Sequence, residues 1–130
     1  MHRLFLSSEG IPVPAATKPI LWSCRDILAP FRWTRGVVVR VERDLFEPEV
    51  RGIFRDEVFA TMALCPGLRF ELQTAYPRFY QAYVRTIAED RMEYLTWRVS
   101  AAAILRMLHR DREASGPGPE WPLSNVVLVD

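Results

Sequence analysis

The feature that most constrains the fold is an alternation of strand-like and helix-like segments through residues 36–130. Short runs of β-branched or alternating apolar residues indicate strands, and apolar residues recurring every three or four positions indicate helices. In order, the segments are a strand over 37–42, a helix between Pro48 and Cys65, a strand over 68–74, a helix from Pro77, a helix over about 98–110 and a strand over 125–129. This order is typical of a parallel sheet with helical crossovers.

The helix that begins at Pro77 carries an apolar stripe that predicts which of its faces is buried. Proline fits the first turn of a helix, because the N–H that it lacks has no intrahelical partner there. Four large residues then fall on one predicted face, and we expect them in the core: Phe79, Tyr80, Tyr83 and Ile87.

Residues 1–35 differ from the rest of the chain because prolines interrupt them. Proline has no backbone N–H, so four prolines keep most of this segment out of helices and central strands: Pro12, Pro14, Pro19 and Pro30. The segment is nevertheless too rich in large apolar residues for a disordered tail. We therefore expect an irregular arm over 1–35, with a short strand at Leu4–Leu6, packed on a βαβαβ domain over 36–130.

The first two predicted strands have one apolar and one polar face. Arg40 and Glu42 share a face of the first strand, opposite valines. Arg69, Glu71 and Gln73 share a face of the second. Side by side, these polar faces would form a ladder of opposite charges. The sequence therefore predicts a two-layer α/β fold: a small, mainly parallel sheet of about three strands, a partial barrel, with two to three helices on its apolar face.

The last predicted strand is apolar on both faces. Val126 and Leu128 alternate with Val127 and Val129, so an uncovered edge here would invite pairing with other chains. We expect this edge to be covered by the N-terminal arm, by a second copy of the chain in a homodimer, or by a partner protein.

Composition and charge exclude several classes of protein. The chain has 17 basic and 16 acidic residues, and this net charge of +1 gives no sign of a nucleic-acid partner. It contains no run of about 18 apolar residues, so the sequence predicts no membrane span. The two cysteines, Cys24 and Cys65, favour a reducing compartment, and we expect a cytoplasmic protein.

The sequence contains no recognisable pattern for catalysis or metal binding. The residues that ligate metals most often, His2, Cys24, Cys65 and His109, lack the spacing of a metal site. We expect His109 to cap a helix end and the carboxylate pairs 56–57 and 89–90 to lie on solvated faces. The sequence therefore predicts no catalytic residue, no cofactor and no metal.

Five blocks in chain order resemble one known family. They are residues 31–33, 44–50 and 58–64, Thr74 with Pro77, and residues 121–126. Together they resemble the middle of a phage-encoded, radical-SAM-like family of unknown function, over roughly residues 28–130. The resemblance implies a barrel-type α/β fold whose N-terminal part carries a cysteine cluster for an iron–sulfur centre.

This chain departs from the family at the positions that bear chemistry. The cysteine cluster is absent, and a chain with two separate cysteines cannot hold an iron–sulfur cluster by itself. After the first strand the family reads Asn-Ser-Met-Ser, where this chain has residues 40–43, Arg-Val-Glu-Arg. After the second strand the family reads Thr-Lys-Arg-Pro, where this chain has residues 74–77, Thr-Ala-Tyr-Pro. The chain stops at Asp130, where the family continues. The resemblance thus implies a truncated and catalytically inactive relative.

These observations favour a non-catalytic protein-binding module of phage or mobile-element origin, and its most concrete form is an anti-CRISPR-like inhibitor of a bacterial defence complex. Sixteen of the 17 basic residues are arginine, which is enriched at protein interfaces. The alternatives are a subunit of a split radical-SAM-like enzyme completed by another chain, a nucleic-acid mimic or binder, and a gene remnant.

The predicted binding patch lies beyond the carboxyl ends of the strands, where α/β folds place their ligands. It consists of Arg40, Glu42, Arg43 and Asp44 after the first strand, and Tyr76 and Arg78 after the second. Arginine and tyrosine are among the residues that dominate interface energetics, and the carboxylates would orient them.

Overall fold

The computed structural model describes the backbone of residues 4–6 and 12–14 and the whole of residues 18–129. The strands are β1 (Leu4–Leu6), β2 (Pro12–Pro14), β3 (Ile20–Trp22), β4 (Val38–Val41), β5 (Arg69–Leu72) and β6 (Val126–Leu128). The helices are α1 (Gly52–Ala63), α2 (Pro77–Glu89), α3 (Arg91–Met107) and the short α4 (Asp111–Ala114), and a single 3-10 turn covers Ala29–Arg32.

The main sheet has four parallel strands in the order β3-β4-β5-β6, so each strand lies beside its predecessor in the chain. This consecutive order is that of a section of a β/α-barrel wall. The strands β1 and β2 form a separate antiparallel pair, which includes the strand expected at Leu4–Leu6. The predicted α/β class with a small parallel sheet is confirmed.

The fourth strand, β3, corrects the expected number of three. It lies within the proline-rich arm and pairs with β4, with Ile20 opposite Val39 and Trp22 opposite Val41. Trp22 anchors it, because its side chain is buried and its indole N–H donates to the carbonyl of Asp26 at 3.1 Å. Pro19 directly precedes β3, and a proline is tolerated there because β3 is an edge strand.

Helix α1 lies in the centre of the packing. Its side chains from Val58 to Met62 are all buried, five residues in succession. Val58, Phe59 and Met62 pack on the apolar face of the sheet, whereas Ala60 belongs to a second core with α2 and α3. The second half of α1 is therefore buried on all sides, whereas its first turns carry charged and exposed residues.

The predicted helices form, with two corrections. Helix α3 begins at Arg91 rather than near 98, because the Asp90 carboxylate accepts hydrogen bonds from the N–H groups of Met92 and Glu93 and caps the helix. Phe79 is 56% exposed and lies outside the core. The buried stripe of α2 is centred on Tyr80, Tyr83 and Ile87, and Phe79 is displaced from that stripe by one residue.

Strand β6 forms the sheet edge opposite β3. Val126 is buried, whereas Leu128 remains 38% exposed. The described strands of the arm pair with β4 or with each other, and none of them pairs with β6. Cover of this edge by the arm, by a second copy or by a partner stays a prediction.

Asn125 joins β6 to the end of α1. Its side-chain amide donates to the carbonyls of Met62, Cys65 and Leu68, at 2.9, 3.1 and 3.2 Å. The carbonyls of Met62 and Cys65 also accept the backbone N–H groups of Cys65 and Leu68, so Asn125 adds a second donor where the helix no longer supplies its regular bonds. This contact fixes β6 relative to α1 and to the start of β5.

We predict that Asn125→Ala lowers the free energy of unfolding by about 1–3 kcal/mol, because three hydrogen bonds in a partly buried site are lost. Urea denaturation monitored by circular dichroism measures the change. The neighbouring exposed Ser124 supplies the control, and Ser124→Ala should leave the free energy of unfolding nearly unchanged. Equal stability of the wild type and Asn125→Ala would show that this contact contributes nothing.

Candidate binding surface

The face of the sheet turned away from the helices carries the predicted ladder of charges. Arg40 contacts Glu71 on the neighbouring strand at 3.1 Å, and Arg69 lies 3.8 Å from the other oxygen of the same carboxylate. Glu71 is thus placed between two arginines, and only 16% of its side chain is exposed. The predicted pairing of opposite charges across this face is confirmed.

One residue from each of the four strands forms a row across this face, which we call the open face: Leu21, Arg40, Glu71 and Val127. The two middle residues form an ion pair, and the two outer residues are apolar. Leu21 is 60% exposed, which is unusual for a leucine within a strand. The open face therefore combines a fixed polar centre with an apolar contact at one edge.

A groove with a volume of about 570 Å³ lies at the carboxyl ends of the strands, beside the open face. We call it the strand-end groove. It brings together three of the six residues predicted from the sequence, Arg40, Glu42 and Asp44. Its other lining residues are Leu21, Val41, Gln73, Thr74, Ala75, Pro77, Leu128 and Val129. The expected position of the site beyond the strand ends thus coincides with a real concavity.

The other three predicted residues lie outside this groove. The Arg43 guanidinium lies over the ring of Phe54, 5.2 Å from its centroid. Tyr76 stacks on Phe79 with ring centroids 5.6 Å apart and planes 7° from parallel. Tyr76, Arg78 and Phe79 line a separate depression of about 320 Å³, which we call the aromatic ledge.

Phe79 belongs to this surface, although its sequence pattern predicted a position in the core. Its apolar character placed it in the predicted core stripe of α2, but the structure exposes it beside Tyr76. The sequence does contain an indication of this exposure. Tyr80, Tyr83 and Ile87 already form a buried stripe with helical spacing, and Phe79 is not needed to complete it.

Asp44 has a structural role at the base of the groove. Its carboxylate accepts hydrogen bonds from the N–H groups of Phe46 at 3.0 Å and Ala75 at 2.9 Å, and from the hydroxyl of Thr74. Partial burial opposes ionisation, but these three hydrogen bonds outweigh it and hold the pKa of Asp44 below its ordinary value. Asp44 therefore joins the loop after β4 to the loop after β5 and shapes the groove.

Asp56 corrects another expectation from the sequence. Its carboxylate was expected on a solvated face, but it is not on one. It is half-buried and accepts a hydrogen bond from the Tyr83 hydroxyl at 2.7 Å. Burial raises the pKa of Asp56, although the bond from Tyr83 and the charge of Arg55 act in the opposite direction. Burial and the Asp56 charge also raise the pKa of Tyr83, which keeps its hydroxyl protonated as the donor of this hydrogen bond.

The cysteines lie in the interior, and His109 lies at the end of a helix. Cys24 and Cys65 are buried free thiols, and burial raises the pKa of each to about 12, which leaves little reactive thiolate. His109 follows the end of α3 with a φ of 59°, at the position where a helix terminates. His2 lies outside the described residues. Within residues 18–129, no cluster of three or more histidine, cysteine or acidic side chains is placed to bind a metal.

None of the helices in the described part of the chain combines the length and the apolar composition that a membrane span requires.

The lowered pKa of Asp44 predicts how stability changes with pH. The ionised carboxylate stabilises the folded state above its unfolded pKa of about 3.9, and this contribution is lost as the pH falls through the lower folded pKa. Between neutral and strongly acidic pH, the wild type should therefore lose more free energy of unfolding than Asp44→Asn. Denaturation at several pH values measures the difference, with the exposed Glu42→Gln as the matched control. Parallel pH profiles for wild type and Asp44→Asn would refute this role.

Comparisons with protein-family models, with curated proteins and with solved structures found no match for this chain.

Proposed function

We propose that this chain is a non-catalytic protein-binding module that docks its partner on the open face, the strand-end groove and the aromatic ledge. The observation that carries the proposal is the one-sided cover of the sheet. The helices pack on the face that contains Val39 and Phe70, which are fully buried, whereas the other face presents Leu21 and Arg40 to solvent.

The residue types and their surroundings suit a protein partner. Aromatic and arginine side chains supply most of the energy of protein interfaces, and here Tyr76, Arg78 and Phe79 lie together on the ledge. Arg40 is already oriented by Glu71, and Asp44 fixes the loops around the groove. A surface that is ordered before binding loses less conformational entropy when the partner docks.

The most concrete partner is a bacterial defence complex, which the chain would inhibit in the manner of an anti-CRISPR protein of phage or mobile-element origin. This part of the proposal is supported by the resemblance of residues 28–130 to a phage-encoded family and by the absence of that family's cysteine cluster from the sequence. A module of this kind needs surface and shape rather than chemistry, and it would act in the cytoplasm.

A second candidate function is one part of a split radical-SAM-like enzyme. The observation that favours it is the consecutive parallel order of the strands, which matches a segment of a barrel wall, together with the location of β3 and β6 at its two edges. Another polypeptide would then complete the barrel and supply the cysteine ligands for the iron–sulfur cluster.

We predict that Leu21→Glu and Tyr76→Ala each weaken binding of the partner by at least about tenfold, the size expected for interface hot spots. The immobilised chain captures partners from bacterial lysates that contain defence complexes, and the dissociation constant is then measured with the purified partner. Ile53→Glu is the control, since Ile53 is also an exposed apolar residue, at 66%, but lies on α1. Circular dichroism verifies that each variant is folded.

The outcomes separate the two functions. Capture of a defence complex that is weakened by Leu21→Glu and Tyr76→Ala but not by Ile53→Glu supports the protein-binding proposal. Capture of a cysteine-rich polypeptide whose complex shows iron–sulfur absorbance supports the split enzyme. Equal binding by all variants rules out the proposed surface.

A further inference from the structure

Helix α3 has an apolar stripe that is exposed in the packing of residues 18–129. On one side of the helix, Trp97 and Ala101 are buried in the second core. The other side exposes Met92, Val99 and Met107 at 70%, 66% and 54%. These are high values for residues of this type, and large exposed apolar patches mark interaction sites.

The stripe has the spacing of a helix-pairing seam. Met92, Thr96, Val99 and Ala103 are separated by four, three and four residues, the heptad pattern of a coiled coil, and all four are exposed. The Thr96 hydroxyl donates to the carbonyl of Met92 at 2.9 Å, so it needs no partner outside the helix.

None of the four seam residues carries a charge. The sequence places two charged residues, Glu93 and Arg98, between Met92 and Ala103, and the Arg98 guanidinium donates to the carbonyl of Gly116.

We propose that this stripe is a self-association surface, on which α3 of one copy packs against α3 of a second copy in the antiparallel direction. In this arrangement Met92 faces Ala103 of the partner, and Thr96 faces Val99 of the partner. Each large side chain then meets a smaller one, as close packing of two helices requires. The contact is isologous, because the same residues of each copy take part, and it therefore closes as a dimer.

Charge selects the antiparallel direction. Around the start of α3 the chain carries three exposed acidic residues, Glu89, Asp90 and Glu93, against one exposed arginine, Arg91, and Arg106 is exposed near the end of the helix. Antiparallel packing brings Arg106 of each copy to the acidic start of the other helix. Parallel packing would place these acidic residues beside each other, and like charges in such positions destabilise a helix pair.

The size of the seam sets the strength of the dimer. A helix of 17 residues is about 25 Å long. One such helix pair buries less than the roughly 800 Å² per partner of a standard interface. The dimer should therefore be weak and concentration-dependent, and it leaves the open face of each copy available to another partner.

Analytical ultracentrifugation of the purified chain over the micromolar range tests the proposal. The wild type should shift from monomer to dimer as its concentration rises, and Val99→Glu should raise the dimer dissociation constant at least about tenfold, because it places a charge in the seam. Ile53→Glu should leave the dissociation constant unchanged, since Ile53 has the same 66% exposure as Val99 but lies on α1.

A charge exchange tests the antiparallel direction. Arg106→Glu should weaken the dimer, and Glu93→Arg combined with Arg106→Glu should restore it. A wild type that stays monomeric at all concentrations would overturn the proposal. So would a dimer that Val99→Glu does not weaken, or one that Leu21→Glu dissociates instead, since this would assign self-association to the sheet. Partner capture through the open face is a separate measurement, so the two proposals fail independently.

Discussion

The register between β4 and β5 is the constraint on which the rest of the molecule depends. It places Val39 beside Phe70 on the helix side and Arg40 beside Glu71 on the other. Side chains alternate along a strand, so a slip of one residue would move the valine and phenylalanine into solvent and the arginine and glutamate into the core. One pairing therefore fixes both the apolar layer on which α1 packs and the charged row of the open face.

The part of the fold that could be read from the sequence is the part governed by local periodicity. β-Branched and alternating runs located β4, β5 and β6, the period of two located the charged ladder, and the helical stripes located α1 and α2. Two elements depend on contacts that periodicity does not encode. The residues of β3 directly follow Pro19 in a proline-rich segment, and the burial of Trp22 against Phe70, far away in the chain, decides that they form a strand. The start of α3 is decided by one carboxylate, that of Asp90.

The position of the candidate binding surface was predictable from the sequence, but its composition was predictable only in part. The rule that ligands bind beyond the strand ends located the strand-end groove, and it brought together Arg40, Glu42 and Asp44. The sequence could not show that Asp44 would be occupied by backbone donors from two loops, or that Arg43 would turn toward Phe54. Both outcomes depend on which loops meet in space. A short polar residue after a strand can orient a ligand or hold a loop, and only tertiary structure distinguishes these roles.

The central position of α1 has a consequence for how this chain can evolve. Because the residues from Val58 to Met62 are all buried and the segment contributes to both cores, a change of volume within it disturbs the packing of the interior. The exposed residues of the open face and of the outer side of α3 make fewer buried contacts, so substitutions there disturb the packing less. A lineage could therefore change much of its exterior while the segment around Phe59 stays nearly invariant. Distant relatives of this chain should be recognised by that segment rather than by the surfaces that they use.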